Sequence, residues 1–303
     1  MSKAKTKVVV IGGGLAGLAS AVELQTRGLD VTIIDRNPHL GGKMNVLQEQ
    51  GFTFDMGPTI LTMPQVIRGI ISRTGRKVSD YLDLVELDPQ WRCFYDDGTV
   101  LDLRGDVETM ATSLETEFPG TDAGAGWRSF IEFSRRMYGL SEKVFFYKDL
   151  GGVIDLMKTT PSTDPGILKD VLGMRMHSTV GRTIHKHVRE PHLGQLCEHF
   201  LQYVGSSPFL APAILSLIAA AQVDHGCCYA MGGTRMVAGS LERILREEDA
   251  SIILGRASRR SAGSGGGSPE SNSRMDAWSM PMSWSATATS SEPIATCSAT
   301  RRA

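Results

Sequence analysis

Apolar and polar positions follow three rhythms along this chain. Val8–Ile11 is a short, β-branched run without polar interruption, the pattern of a strand buried on both faces. Gly12-Gly13-Gly14 stops it. From Leu15 the period becomes helical, with Leu15, Leu18, Ala19 and Val22 on one stripe. That stripe predicts a helix to about Arg27, ended by Gly28. Val31–Ile34 then reads as a second strand, closing on Asp35.

Further on, Trp91–Tyr95 and Val100–Leu103 flank Asp96-Asp97-Gly98, a hairpin signal. Helical patterns follow over Val107–Phe118, Trp127–Phe146 and Val180–Tyr203. The aromatics Trp127, Phe130, Phe133, Tyr138, Phe145, Phe146 and Tyr147 read either as a packing core or as the wall of an apolar channel. Phe209–Val223 is apolar but too short to span a bilayer, and reads as a buried helix or an interfacial patch. A Gly232-Gly233 turn feeds a helix over Met236–Arg246 and a strand over Ala250–Leu254.

After about Gly255 the rhythm is lost. Residues 256–303 are rich in serine, with glycine, alanine, threonine and arginine, and carry almost no aliphatic side chains. That composition predicts disorder. The tail also has a second reading. Taking each third base with GC-rich codons turns Glu270–Ser298 into approximately VELEDGRVVYADVVVSNGDVVRTYRDLLG. Two alternating strands around a turn emerge from that string. The expectation is a frameshift near Gly255.

Composition narrows the function classes. The formal net charge of −1 gives no basic surface for nucleic acid. The five cysteines Cys93, Cys197, Cys227, Cys228 and Cys297 form no CxxC pair, and their odd number fits a reducing cytoplasm. His177, His185, His187, His192 and His199 gather in one region, but no carboxylate stands at ligand spacing, so no metal is expected. Lys3, Lys5 and Lys7 precede an apolar run that the glycines break at once, so a strand is expected there and not a targeting segment.

The chemistry sits in the first strand–turn–helix. Gly12, Gly14 and Gly17 satisfy G-x-G-x-x-G between a strand and a helix. Gly12 permits the tight turn, Gly14 lets backbone approach a pyrophosphate, and Gly17 lets helix pack on strand. The helix N-terminus offers free N–H groups and its positive dipole end to phosphate. Asp35 lies roughly twenty residues past the turn, where an acid accepts from ribose hydroxyls. An acid there argues against a 2′-phosphate, leaving NAD or FAD.

The stretches GGGLAGLASAVELQTRG, RNPHLGGK and GFTFDMGPTILTMP resemble the FAD-dependent carotenoid desaturases of the bacterial phytoene desaturase type, within the wider amine-oxidase-like flavoproteins. Gly205–Ala213 and His225–Thr234 are similar to that family's middle region and its return to the flavin domain. The resemblance implies an α/β fold, a Rossmann-like FAD-binding domain interrupted by an α+β substrate domain, with the C-terminal part of the fold missing. It implies residues 1–84 as the first FAD-binding segment, 85–225 as the substrate domain, and 226–255 as the return to the FAD-binding domain. It implies that Gly12, Gly14 and Gly17 hold the FAD pyrophosphate and Asp35 the adenosine ribose. Arg36, Gly41, Gly42 and Lys43 would line the cofactor near its phosphates, and Gly57, Pro58 and Thr59 would pass near the flavin ring.

The implied reaction desaturates a lipophilic polyene precursor such as phytoene. No carbonyl acidifies its C–H bonds, so the flavin must take a hydride. No catalytic acid or base stands out in the sequence. A carotenoid oxygenase, a saturase, an amine oxidase and a non-catalytic dinucleotide-binding fragment are the alternatives. A substrate dissolved in lipid leads to the expectation of a cytoplasmic protein with peripheral contact at the inner face of the membrane.

Overall fold

The structure is a computed structural model; it describes residues 5–142, residue 146, residues 177–256, and strands at 282–288 and 294–301. The chain opens with β1 (Lys7–Ile11), α1 (Leu15–Thr26) and β2 (Asp30–Ile34). An antiparallel pair follows, β3 (Val46–Glu49) and β4 (Phe52–Asp55), then β5 (Leu61–Thr62), α2 (Pro64–Arg73) and β6 (Leu84–Glu86). Next come β7 (Trp91–Phe94), β8 (Val100–Leu103), α3 (Val107–Glu117), α4 (Ala123–Ser141), α5 (Val180–His187), α6 (Pro191–Glu198) and α7 (Leu217–His225). The chain continues through β9 (Cys227–Ala230), α8 (Arg235–Glu247), β10 (Ser251–Ile253), β11 (Met282–Ala288) and β12 (Ile294–Arg301).

Two compact units result. The first comprises residues 1–61, 65–85 and 229–303, and the second residues 62–64 and 86–228. In the first, a five-stranded sheet runs in the order β10-β2-β1-β12-β11, parallel except for the β11–β12 pair. Val8, Val10, Val31 and Ile33 of its strands are buried together with Leu18 and Val22 of α1 and Val237, Leu241 and Ile244 of α8. Two helices thus cover the strand face that carries Val8, Val10, Val31 and Ile33.

The tail departs from expectation. Disorder is the reading of its composition, yet β11 and β12 form a hairpin whose second strand pairs with β1 in parallel register, Val10 opposite Cys297. The physical reason lies in β1. Its edge away from β2 carries backbone donors and acceptors that require partners, and a strand supplies them whatever its side chains. The remainder of the tail lies outside the described residues.

In the second unit, one core joins the hairpin β7–β8 to α3, α4, α5, α6 and α7. Trp127 and Phe130 are wholly inside it, and Phe133 is buried beside Met137 and Ile214. These three aromatics are packing residues. Phe145 and Tyr147 lie outside the described residues. The pattern over Val180–Tyr203 predicts one helix, whereas the structure has α5, then extended backbone at Val188 and Glu190, then α6 and a 3₁₀ turn at His199–Tyr203. Pro191 causes the break, because its ring forces the preceding residue out of the helical region. Glu190 then caps α6 by accepting from the Leu193 amide. Phe209–Val223 divides as well. Phe209 and Leu210 are exposed at 63% and 82%, while Ala219, Ala220 and Val223 on α7 are buried.

Four of the clustered histidines, His185, His187, His192 and His199, are engaged with the protein. His185 Nε2 meets Glu198 at 2.9 Å, and Ser129 Oγ lies 2.7 Å from His187 Nδ1. His192 sits between two carboxylates, Nδ1 at 2.8 Å from Glu190 and Nε2 at 2.9 Å from Asp97. Tyr95 meets the ring edge-on and donates to the His192 carbonyl. The bond to Glu190, reinforced by the charges of Glu190 and Asp97, raises the His192 pKa above its ordinary value. A raised folded-state pKa stabilises the fold fully below the unfolded value near 6.5, and that contribution is lost as pH rises through the folded value. Thermal unfolding should therefore show stability falling as pH climbs from about 6.5. His192→Gln should remove that slope, and an unchanged slope would rule the clamp out.

Candidate functional site

The first unit places its glycines at the carboxyl ends of parallel strands, where open α/β sheets bind ligands. Gly12 has φ of +101° and donates to the Ile34 carbonyl at 2.8 Å, which ties the turn to β2. Gly13 donates to Asp35 Oδ2 at 2.6 Å, and Asn37 donates to Asp35 Oδ1 at 2.7 Å. Asp35 is buried at 7% exposure, so this carboxylate is a structural strut of the turn. Each oxygen keeps a further lone pair for another donor. The sequence places an acid at this position but gives no sign that the protein's own amides claim it first.

The glycines fall into two physical classes. A Cβ at Gly12 or Gly14 would meet nothing within 4 Å, so both border open space. A Cβ at Gly17 would lie 1.8 Å from the Gly12 carbonyl oxygen, so Gly17 is required by the packing of α1 on its own turn. No side chain caps α1 at Gly14, and the first amide of the helix given a partner is that of Leu18, bonded to the Gly14 carbonyl. Amides of the first turn, at Leu15, Ala16 and Gly17, have no backbone acceptor among the described residues, the arrangement that binds phosphate at a helix N-terminus.

The second glycine pair is built into the first. Gly41 donates to the Gly13 carbonyl at 2.7 Å and bridges Gly14 in parallel. A Cβ at Gly42 would sit 3.1 Å from Gly14 Cα. A Cβ at Gly41 would sit 2.5 Å from Arg235 Nη1 and 2.8 Å from the Met44 carbonyl oxygen. Gly41 is therefore glycine because α8 packs on this loop, and Arg235 donates to the Leu40 carbonyl to hold it. Arg235 escapes a sequence reading because 195 residues separate it from Leu40.

Arg36 and Lys43 are exposed, with no ion-pair partner among the described residues. A Cβ at Gly57 would meet the Lys43 carbonyl oxygen at 2.5 Å, so two backbone segments cross there. Pro58 and Thr59 are exposed. Asp55 packs its carboxylate on Gly233, at the start of α8, and its Oδ1 has no partner among the described residues. The buried hydroxyl of Thr234 likewise lacks one. Two orphaned polar groups at a helix N-terminus, within the unit that carries the glycine turn, fit a bound polar group.

The family model for flavin containing amine oxidoreductases matches residues 15–260. A protein named 4,4'-diapolycopene oxygenase, from Methylomonas sp, is 35% identical over 248 residues, covering 82% of this chain and 48% of its own length. A 4,4'-diaponeurosporene oxygenase from Staphylococcus haemolyticus is 33% identical over 249 residues, with the same coverage. The chain thus spans about half the length of these relatives. Among solved structures, a protein from Pyrococcus furiosus gives a TM-score of 0.52 at 18% identity, over 82% of this chain and 51% of that one. A putrescine oxidase gives 0.52 at 14% identity, over 98% of this chain and 57% of its own. Both likenesses concern the fold alone. The open space before Gly12 and Gly14, the uncapped amides of α1 and the two orphaned polar groups fit FAD, the cofactor of this fold. The chain belongs to the flavin containing amine oxidoreductase family.

Proposed function

We propose that the full-length protein is an FAD-dependent oxidoreductase of carotenoid biosynthesis acting on a long linear polyene. The observation that carries this reading is the 35% identity over 248 residues with a protein named 4,4'-diapolycopene oxygenase. Bound FAD supplies the hydride acceptor that an unactivated hydrocarbon requires. The chain's own residues orient it: Gly12, Gly14 and the α1 amides hold the pyrophosphate, Asp35 and Arg235 fix the loops around it, and Arg36 and Lys43 lie free to meet phosphate charge. The relatives' names favour oxygenation over phytoene desaturation, which stays as the second reading because both begin by oxidising the polyene.

The substrate's partition into lipid supports peripheral attachment at the inner face of the membrane, with exposed Phe209 and Leu210 as the apolar contact. Among the described residues no helix is long and apolar enough to cross a membrane. We also infer a change of reading frame near Gly255. The abrupt shift in composition supports it, and the family match stops at residue 260. Resequencing the locus tests it, and an intact frame there with a stop after Ala303 removes the idea.

The function is tested by expressing the frame-corrected gene in cells that accumulate 4,4'-diapolycopene and, separately, phytoene. Oxygenated pigment in the first supports the favoured reading. Added double bonds in the second support the alternative. Unchanged pigment in both overturns the proposal.

A further inference from the structure

The loop that carries the second glycine pair runs from His39 to Asn45. Its centre is tied to the first glycine turn: the Gly41 amide donates to the Gly13 carbonyl, and a Cβ at Gly42 would sit 3.1 Å from Gly14 Cα. Gly41 and Gly42 have φ of +105° and +58°. Two adjacent glycines give such a loop many conformations unless something restrains it. A ligand that binds an unrestrained loop has to offset the cost of ordering it.

Side chains supply the restraint. His39 Nδ1 lies 3.1 Å from the Leu40 carbonyl oxygen, and Asn45 Nδ2 lies 3.0 Å from His39 Nε2. A carbonyl only accepts, so Nδ1 carries the proton and Nε2 accepts from the Asn45 amide. The ring thus joins the two ends of the loop. Arg235 donates to the same Leu40 carbonyl, and the Leu40 side chain is fully buried. A Cβ at Gly13 would meet Leu40 Cδ2 at 2.2 Å, so Leu40 packs directly on the first turn. Beyond Asn45 the path continues, because its carbonyl accepts from the Met56 amide at 2.8 Å, next to Gly57. His39 and Asn45 are both half-buried, which shields their bond from water.

We propose that His39 is a positioning residue for FAD binding: with Asn45 it clasps the loop shut and holds Gly41 and Gly42 against Gly13 and Gly14 before the cofactor arrives. The inference rests on the reading that the glycine turn binds FAD, and it assigns His39 a part that is played through the loop.

The experiment titrates the full chain with FAD, followed by flavin fluorescence, beside denaturant unfolding without FAD. His39→Phe keeps a ring and removes both nitrogens. FAD affinity should fall about tenfold, the worth of the lost clasp. His39→Gln restores an N–H for the Leu40 carbonyl and an oxygen for Asn45, and should bind within about twofold of wild type. Asn45→Ala should cost about as much affinity as His39→Phe, and the double variant no more than either, because each removes the same clasp. A merely structural role would shift the unfolding midpoint and leave the affinity of the folded protein unchanged. Wild-type affinity in His39→Phe, no rescue by His39→Gln, or additive losses in the double variant overturns the proposal while the FAD reading stands. A wild-type chain that binds no FAD overturns both.

Discussion

Gly14→Ala and Gly17→Ala, two glycine-to-alanine changes three residues apart, should fail in opposite ways. A methyl at Gly17 would lie 1.8 Å from the Gly12 carbonyl oxygen, a backbone atom fixed between β1 and α1. Relief requires α1 to move off the sheet that it covers. We expect a loss of about 3 kcal/mol or more, at the upper end of the cost of overpacking. A methyl at Gly14 meets nothing within 4 Å. Gly14 has φ of −67° and ψ of 176°, which any residue adopts. Stability should fall by less than about 1 kcal/mol, the difference between glycine and alanine as a helix cap. The methyl instead occupies the space that a pyrophosphate needs. FAD affinity, followed by flavin fluorescence during titration, should drop at least about tenfold. Unchanged affinity in Gly14→Ala would show that no ligand approaches there. Unchanged unfolding in Gly17→Ala would remove the packing argument.

Asp35→Ala carries the second large effect. It strips the acceptor from the amides of Gly13 and Asn37, in a region where Asp35 itself is 7% exposed. Each unpaired buried donor costs about 1 to 3 kcal/mol, so a combined loss of about 2 to 6 kcal/mol is expected in denaturant unfolding. Asp35→Asn retains one carbonyl acceptor and should fall between alanine and wild type. The cofactor arm is separate: if Asp35 also accepts from ribose, Asp35→Asn weakens FAD more than its stability loss explains. An Asp35→Ala protein as stable as wild type would show that water replaces the strut.

The glycine turn is legible in the sequence because its physics is local. A strand, a turn without Cβ atoms and a helix follow one another within twenty residues, and the backbone can close them in few ways. The helix after β1 is expected over Leu15–Arg27 and is found at Leu15–Thr26. Arg235 is not legible in this way. It reaches Leu40 only because α8 returns across the sheet after the whole second unit has intervened. The role of Gly41 is hidden for the same reason. Its loop position suggests a ligand, whereas its missing Cβ makes room for Arg235. The break between α5 and α6 is visible as Pro191, but the apolar period runs through it and suggests one helix.

The tail marks a different limit. Composition can say that residues 256–303 lack the side chains for a core. It cannot say that β1 presents an unpaired edge, which exists only once the sheet has formed. Phe209–Val223 shows the same division: its apolar character is plain in the sequence, but the burial of Ala219, Ala220 and Val223 and the exposure of Phe209 and Leu210 appear only in the folded chain. Local backbone freedom and the order of strand, glycine and helix, both written along the chain, determine by themselves the nucleotide-binding turn. Which glycines face a ligand and which face a neighbour is decided by tertiary structure, because a missing Cβ has no meaning until another segment arrives beside it.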